Sequence, residues 1–163
     1  VYIPKFILLV VRMGVNGFKM FISLLIIVAM LAFWRVPITW NVLYTVPILL
    51  TLAILVFGFG CFLLHYGVFV EDLSNVLNIA LRFLFYLTGI FWNIMDKLPA
   101  PINSYIGKGN PIAFLLTSMR QCLIYGKTPH RKLLLLWFVV GLIISILGVR
   151  KIYKNENSYV KVI

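Results

Sequence analysis

Four long apolar segments constrain the fold of this chain more than any other feature of its sequence. They lie at about residues 14–33, 46–66, 77–95 and 133–149. Each is close to the ~20 residues that a helix needs to cross the hydrocarbon of a bilayer. A helix pairs its own backbone groups, which is what hydrocarbon demands. The sequence therefore predicts an all-α integral membrane protein with four transmembrane helices.

The composition agrees with a membrane environment. Hydrophobic residues make up 63% of the chain and charged residues 12%, against roughly 45–50% and 25% in soluble domains. The net charge of +11 comes from basic residues that fall mostly between and beside the apolar segments, where they can meet lipid headgroups. No polar stripe combines these cations with stacking aromatics, so we expect membrane lipids and not nucleic acid as the basic residues' partners.

The connection between the third and fourth segments, residues 97–132, cannot form one helix. It contains several helix-breaking residues: Pro99, Pro101, Asn110, Pro111 and Gly126. Within it, residues 112–125 predict a short amphipathic helix with Pro111 at its first position. That helix is too short to span, and we expect it to be interfacial or re-entrant.

Charge does not decide the orientation in the membrane. Four spans place both termini on one side, and the Lys and Arg residues then divide eight against seven between the two sides. The positive-inside rule therefore leaves the topology open. Val1 is not a normal translation start, so we expect the chain to be part of a longer protein.

The third segment carries the most informative polar pattern. At helical spacing, and flanked by Phe85 and Trp92, it has one stripe of polar and small residues: Arg82, Tyr86, Gly89, Asn93 and Asp96. Polar groups at such depth usually face protein or water. The stripe is interpreted either as the wall of a polar substrate path or as a helix contact in which Arg82 extends to the interface.

Two weaker patterns favour structural roles. His65 ends a stripe on the second segment that includes smaller residues: Thr51, Gly58 and Cys61. No acid lies within an apolar segment to complete a proton relay, so we expect His65 to be interfacial. Gly141 and Ser145 form a small-residue pair that predicts close helix packing.

No catalytic or metal site is predicted. Glu71 and Asp72 are adjacent, and neighbouring residues on a helix do not face each other; Asp72 is better explained as a helix cap. The chain has no Gly-rich phosphate loop and no metal-ligand spacing. Cys61 and Cys122 are expected to be buried apolar side chains. We therefore expect a protein that is not an enzyme and that holds no cofactor.

Short motifs along the whole chain resemble one transporter family. They are Tyr2-Ile3-Pro4-Lys5, Val70-Glu71-Asp72-Leu73, residues 85–92, Leu98-Pro99, Asn110-Pro111, Arg120, Gly126 and the tail 156–163. Their order resembles the C-terminal portion of a type-2 ABC transporter permease of the polysaccharide export branch, which exports teichoic acid, O-antigen or capsular polysaccharide. Glu71 departs from that pattern, because the family usually has Arg there.

The resemblance implies a larger assembly. Residues 1–163 would be an N-terminally truncated ABC type-2 transmembrane domain with cytoplasmic termini. Two copies of the permease would pair around a channel, and a separate ABC ATPase subunit would bind ATP and Mg and hydrolyse ATP. A lipid-linked polysaccharide would be moved across the plasma membrane, as in Gram-positive bacteria.

The same resemblance assigns three groups of site residues. The substrate channel would include Arg82, Phe85, Tyr86, Gly89, Trp92 and Asn93. The outer re-entrant region would include Pro99, Asn110, Pro111 and Arg120. The cytoplasmic coupling region would include Pro4, Lys5, Glu71 and Asp72.

Three alternatives remain open at this stage. The same fold could export drugs or lipids, the chain could be a membrane-embedded glycosyl- or acyltransferase, or it could be a small scaffold protein. An enzyme would need interfacial acids, and only Glu71, Asp72 and Asp96 are available.

Overall fold

The computed structural model describes residues 5–36, 39–70, 72–90, 99 and 102–155. All regular structure in these ranges is helical. The described ranges contain six α-helices, which are α1 (Lys5–Phe33), α2 (Thr45–Gly67), α3 (Leu73–Leu87), α4 (Ile102–Gly109), α5 (Pro111–Leu123) and α6 (Arg131–Lys154). A 3-10 turn at Trp40–Tyr44 precedes α2.

Helices α2 and α6 form the best-packed pair, and they run parallel. A Cβ built on Gly141 lies 3.2 Å from Leu55, and one built on Gly148 lies 2.8 Å from the Cβ of Cys61. Between these contacts, the Ser145 hydroxyl donates a hydrogen bond to the carbonyl oxygen of Ile54 at 2.9 Å. Small residues let the two backbones approach closely, which is how helices pack without a hydrophobic driving force. The predicted packing role of Gly141 and Ser145 is confirmed.

Helix α1 runs antiparallel to α2 and leaves most of its surface uncovered. Leu9, near its start, contacts Gly60, near the end of α2. None of its most apolar 18-residue stretch is buried, and Phe18 is 67% exposed. Such a surface is suited to lipid, which solvates apolar side chains as well as protein does.

Helices α4 and α5 form a helical hairpin, here called the outer hairpin, that packs on the N-terminal halves of α2 and α6. Phe114 and Leu115 of α5 belong to one buried cluster with Leu55 of α2 and Leu134 of α6. Leu55 lies ten residues into α2, so the hairpin reaches about 15 Å along that helix. The predicted short helix at 112–125 is confirmed by α5. Because α5 reaches that far along α2, it dips between the long helices instead of lying across their ends.

In the part of the chain that the structure describes, three helices are long and apolar enough to cross a membrane: α1, the 3-10 turn with α2, and α6. The predicted count of four is not confirmed. Helix α1 begins at Lys5 and not near residue 14. In the region of the predicted third span at 77–95, α3 runs from Leu73 to Leu87, and Gly89 then takes a left-handed backbone conformation with φ +67°. Residues 91–95 of that span lie outside the described residues.

Candidate functional site

One face of α3 carries polar and aromatic side chains at helical spacing. An open groove on this face is lined by Asn78, Leu81, Arg82, Phe85 and Tyr86. Tyr86 is 71% exposed, and its ring meets that of Phe85 edge-on with centroids 5.7 Å apart. No side chain of α3 is buried. We call this face the α3 stripe.

The C-terminal end of α3 is held by the outer hairpin. Arg120 of α5 donates through one guanidinium nitrogen to the carbonyl oxygen of Gly89, at 3.2 Å, and to that of Ile90. Both carbonyls belong to residues beyond Leu87, where α3 ends, and a cation near a helix C-terminus complements the helix dipole. Arg120 therefore joins the turn after α3 to α5.

The corner of the outer hairpin is defined by a helix cap. The Asn110 side-chain oxygen accepts hydrogen bonds from the backbone nitrogens of Ile112 and Ala113 at 3.1 and 3.4 Å. Pro111 occupies the first turn, where its missing N–H costs nothing. Nearby, the Trp137 indole donates to the carbonyl oxygen of Lys108 at 3.3 Å. Trp137 lies six residues into α6, so the corner sits about 9 Å past the start of that helix.

The predicted channel residues divide into described and undescribed ones. Arg82, Phe85 and Tyr86 share the α3 stripe, while Gly89 lies in the turn that follows α3. Trp92 and Asn93 lie outside the described residues, as does Asp96.

The predicted outer residues are brought together in part. Asn110 and Pro111 form the hairpin corner, Arg120 binds the end of α3, and Pro99 is exposed.

Of the predicted coupling residues, Lys5 is the first residue of α1. Asp72 is the N-cap of α3, as predicted, but its side chain makes no capping hydrogen bond. Pro4 and Glu71 lie outside the described residues.

Sequence reasoning missed a second polar face, on α1. Four exposed polar residues recur there three or four positions apart: Arg12, Asn16, Lys19 and Ser23. The same spacing that indicated the α3 stripe could have revealed them, but residues before 14 were treated as separate from the first span. Asn78, one turn upstream of Arg82 on the α3 stripe, was also missed, although it lies within the predicted third segment.

Charge in the described residues is almost entirely positive. Asp72 supplies the only side-chain carboxylate in the ranges that the structure describes.

At the end of the α2–α6 pair, Lys151 donates to the Tyr66 hydroxyl at 2.7 Å, and its ammonium lies 4.4 Å from the centroid of that ring. A cation over an aromatic face is stabilised by the ring quadrupole. His65 is buried against Tyr66 and Phe69 at the end of α2. A proton carrier would be expected at an accessible position, so this burial does not favour a proton relay through His65.

The α3 stripe can bind a ligand by weak polar and stacking contacts along one helix face. No group of three or more His, Cys, Asp or Glu side chains that could hold a metal is found in the described ranges. The thiol of Cys122 in α5 is buried, and that burial raises its pKa, which keeps it in the less reactive thiol form.

The chain matched no family, no curated protein and no solved structure in comparisons with known proteins. Any function proposed for this chain therefore follows from its own residues and their geometry.

Proposed function

We propose that this chain is the membrane-spanning permease subunit of an ABC exporter that moves a lipid-linked polysaccharide across the plasma membrane. A separate ATPase subunit powers it, and two permeases pair around the polymer. The observation that carries the proposal is the α3 stripe, whose end is tied to the outer hairpin by Arg120.

The path of the chain supports a fourth crossing in this proposal. Because α2 and α6 are parallel, the chain must return from the end of α2 to the start of α6. Helix α3 begins beside Gly67, at the end of α2, and Arg120 joins its far end to α5. The 15 residues of α3 cover about 22 Å of that distance, somewhat less than the ~30 Å of a hydrocarbon core.

The chemistry of the α3 stripe suits a sugar–phosphate polymer. Phe85 and Tyr86 offer apolar rings on which sugar faces can slide, and Asn78 and Arg82 offer hydrogen bonds to hydroxyl and phosphate oxygens. Many weak contacts let a polymer advance, whereas one tight site would stall it.

The outer hairpin gives the proposed channel a lid on one side. Its corner lies between the long helices and not above them. At that depth in a membrane, irregular backbone is tolerated only beside protein or water. A polymer that follows the α3 stripe would meet this hairpin at Arg120.

Reconstitution tests the proposal directly. The full-length protein and its partner ATPase are placed in liposomes that contain the lipid-linked polymer. Polymer that becomes accessible to an external glycosidase only with ATP supports the proposal. ATP-dependent release of drugs or phospholipid without polymer movement would replace it with the other export alternative.

The same purified permease distinguishes the enzyme alternative from the proposed transport subunit. Purified permease without ATPase is incubated with sugar-nucleotide or acyl donors and lipid acceptors. Product formation under these conditions would contradict a transport subunit.

A further inference from the structure

The polar face of α1 lies within a helix that is long and apolar enough to cross a membrane. It consists of Arg12, Asn16, Lys19 and Ser23, which are all exposed, and is here called the α1 polar face. The apolar stretch that could cross is Ile7–Phe33, so Lys19 lies about 18 Å from its start and about 21 Å from its end. Lys19 is therefore close to the middle of the crossing helix.

A lysine at this depth cannot reach either membrane interface. Its side chain extends about 6 Å from the backbone, whereas the middle of the hydrocarbon core is ~15 Å from the headgroups. Extension toward the headgroups accounts for cations near helix ends, and Arg12, about 8 Å from Ile7, is such a cation. Lys19 needs a partner inside the membrane, because charged groups there face protein or water.

The described part of the chain offers Lys19 no acid at its own depth. The one side-chain carboxylate in these ranges belongs to Asp72, the N-cap of α3, which begins beside Gly67 at the end of α2. Leu9 of α1 contacts Gly60 of α2, and Lys19 lies ten residues past Leu9 toward the start of α2. About 25 Å of helix therefore separates the level of Lys19 from the end of α2.

A second copy of the chain does not supply the missing charge. The sequence has four acids, and none of them lies within one of the apolar segments: Glu71, Asp72, Asp96 and Glu156. Two copies that met through the α1 polar face would also place Lys19 against Lys19, because a two-fold interface uses the same surface on both sides. The charge of this face therefore favours a different membrane helix as its partner.

The border of the α1 polar face suits a helix better than a water-filled path. Exposed aliphatic side chains follow its outer edge: Val15, Ile22 and Ile26. A water-filled path would need polar groups across a wider surface. A narrow polar row beside an apolar one gives a single neighbouring helix both hydrogen bonds and close packing.

We propose that the α1 polar face binds a transmembrane helix of a separate membrane protein, and that this helix carries an Asp or Glu at mid-membrane depth opposite Lys19. The carboxylate accepts a charge-assisted hydrogen bond from the Lys19 ammonium, so neither charge faces hydrocarbon alone. Asn16, one turn away, supplies a second hydrogen bond to the partner helix. This proposal does not depend on the proposed transport function.

Designed peptides test the contact in a bilayer. The full-length protein, with a dye at its C-terminus, is reconstituted in phosphatidylcholine with a dye-labelled leucine–alanine transmembrane peptide that carries one Asp at its centre. Energy transfer between the dyes measures association. The matched peptides carry Leu at the centre, or carry the Asp near one end. We expect the central-Asp peptide to bind about tenfold more tightly than either of them.

Substitutions of exposed residues identify the charge that the peptide recognises. Lys19→Gln removes the preference for the central-Asp peptide, and Lys19→Arg keeps it. Arg35→Gln, which removes an exposed cation just past the end of α1, is the control and leaves the preference unchanged. Lys19→Asp reverses the preference, so that this variant binds a peptide with a central Lys; binding by the reversed pair also shows that the variant is folded.

Three outcomes would overturn the proposal. The first is equal binding of all three peptides by the unmodified protein, and the second is an equal loss of preference in Lys19→Gln and Arg35→Gln. The third concerns a second copy as the occupant. A Val15→Cys protein whose native cysteines, Cys61 and Cys122, are replaced by Ala would then form disulfide-linked dimers in the membrane, which would assign the α1 polar face to self-association.

Discussion

Arg120 donates a hydrogen bond to the carbonyl oxygen of Gly89 across 31 residues of sequence, at 3.2 Å. The contact joins the outer hairpin to the helix that carries the α3 stripe. The same guanidinium nitrogen also donates to the carbonyl oxygen of Ile90, so both bonds are made to the turn that follows α3, which ends at Leu87.

Arg120→Lys is expected to loosen this connection. A lysine keeps the charge, but its side chain is one bond shorter than that of arginine and cannot place a nitrogen where the donating guanidinium nitrogen of Arg120 lies. We expect the free energy of unfolding to fall by about 2 kcal/mol, since hydrogen bonds to charged groups contribute that much. Thermal unfolding in detergent measures it. Arg150→Lys, an exposed position on α6, is the control, and an equal loss there would contradict a specific role for Arg120.

Gly58→Ala is expected to separate α2 from α6. A Cβ at this position would lie 2.9 Å from the Ser145 backbone nitrogen and 2.9 Å from a methyl group of Ile144. Overpacking of this kind costs about 1–3 kcal/mol. Gly14→Ala on α1 meets nothing within 4 Å and should be neutral or stabilising. The difference in unfolding midpoint between the two variants is the measurement; equal midpoints would show that the close helix contact is not formed.

Asn110→Ala is expected to destabilise the outer hairpin. Asn110 caps α5 through two backbone nitrogens, and loss of such a cap costs about 1 kcal/mol. Asp72→Ala changes the residue at the same position of α3, where the side chain makes no capping bond, so its stability should change less. Limited proteolysis of residues 102–126 reports the hairpin directly, and faster cleavage in Asp72→Ala than in Asn110→Ala would argue against the cap.

Cys122 is expected to resist alkylation in the folded protein. It is 1% exposed, and burial raises its pKa. The reactive thiolate is therefore scarcer than for a free thiol at the same pH, and labelling should rise only at a pH above the ordinary cysteine range. Maleimide labelling of a Cys61→Ala protein, followed against pH, is the measurement. Tyr125→Cys, at a position 61% exposed, should label fast; labelling of Cys122 at that rate would refute its burial.

Arg82→Gln with Tyr86→Ala is expected to slow polymer export about tenfold under the proposed function, if each group contributes the usual modest free energy of a stacking or polar contact. The reconstituted export rate is the measurement. Phe83→Ala removes an aromatic residue that is 69% exposed and lies outside the groove lining, and it should leave the rate unchanged. The same loss in both variants would mean that α3 acts through its fold and not through this face.

The helices that the sequence predicted best are those with uninterrupted apolar runs. Residues 46–66 and 133–149 correspond to Thr45–Gly67 and Arg131–Lys154, because an uninterrupted apolar run of about 20 residues predicts a long helix directly. The start of α1 was missed because residues 1–13, which include Arg12, were treated as a separate segment, although one exposed cation does not interrupt a helix. Helix α4 was missed because its eight residues, with Gly107 and Gly109, have little helical propensity and depend on contacts with α5.

The α3 stripe was predicted at Arg82, Phe85 and Tyr86, since a helical period can be read from local sequence. The Arg120 contact with Gly89 could not be predicted in the same way. Gly89 and Arg120 were each chosen as candidate residues, but nothing local in a sequence records that a side chain on one helix will complete the end of another. Only the packing of the outer hairpin brings them together.

The parallel course of α2 and α6 has a consequence for compartments. In the proposed permease, two membrane helices that point the same way are joined by chain that travels back through the bilayer, so the turn after Gly67 and the end of α6 at Lys154 open into one compartment. The segments before Thr45 and before Arg131, where Arg131 lies over the Tyr44 ring at 5.3 Å, open into the other. A protease added on one side of a sealed vesicle would therefore reach either the segments after Gly67 and at Lys154 or the segments before Thr45 and Arg131, and not both sets.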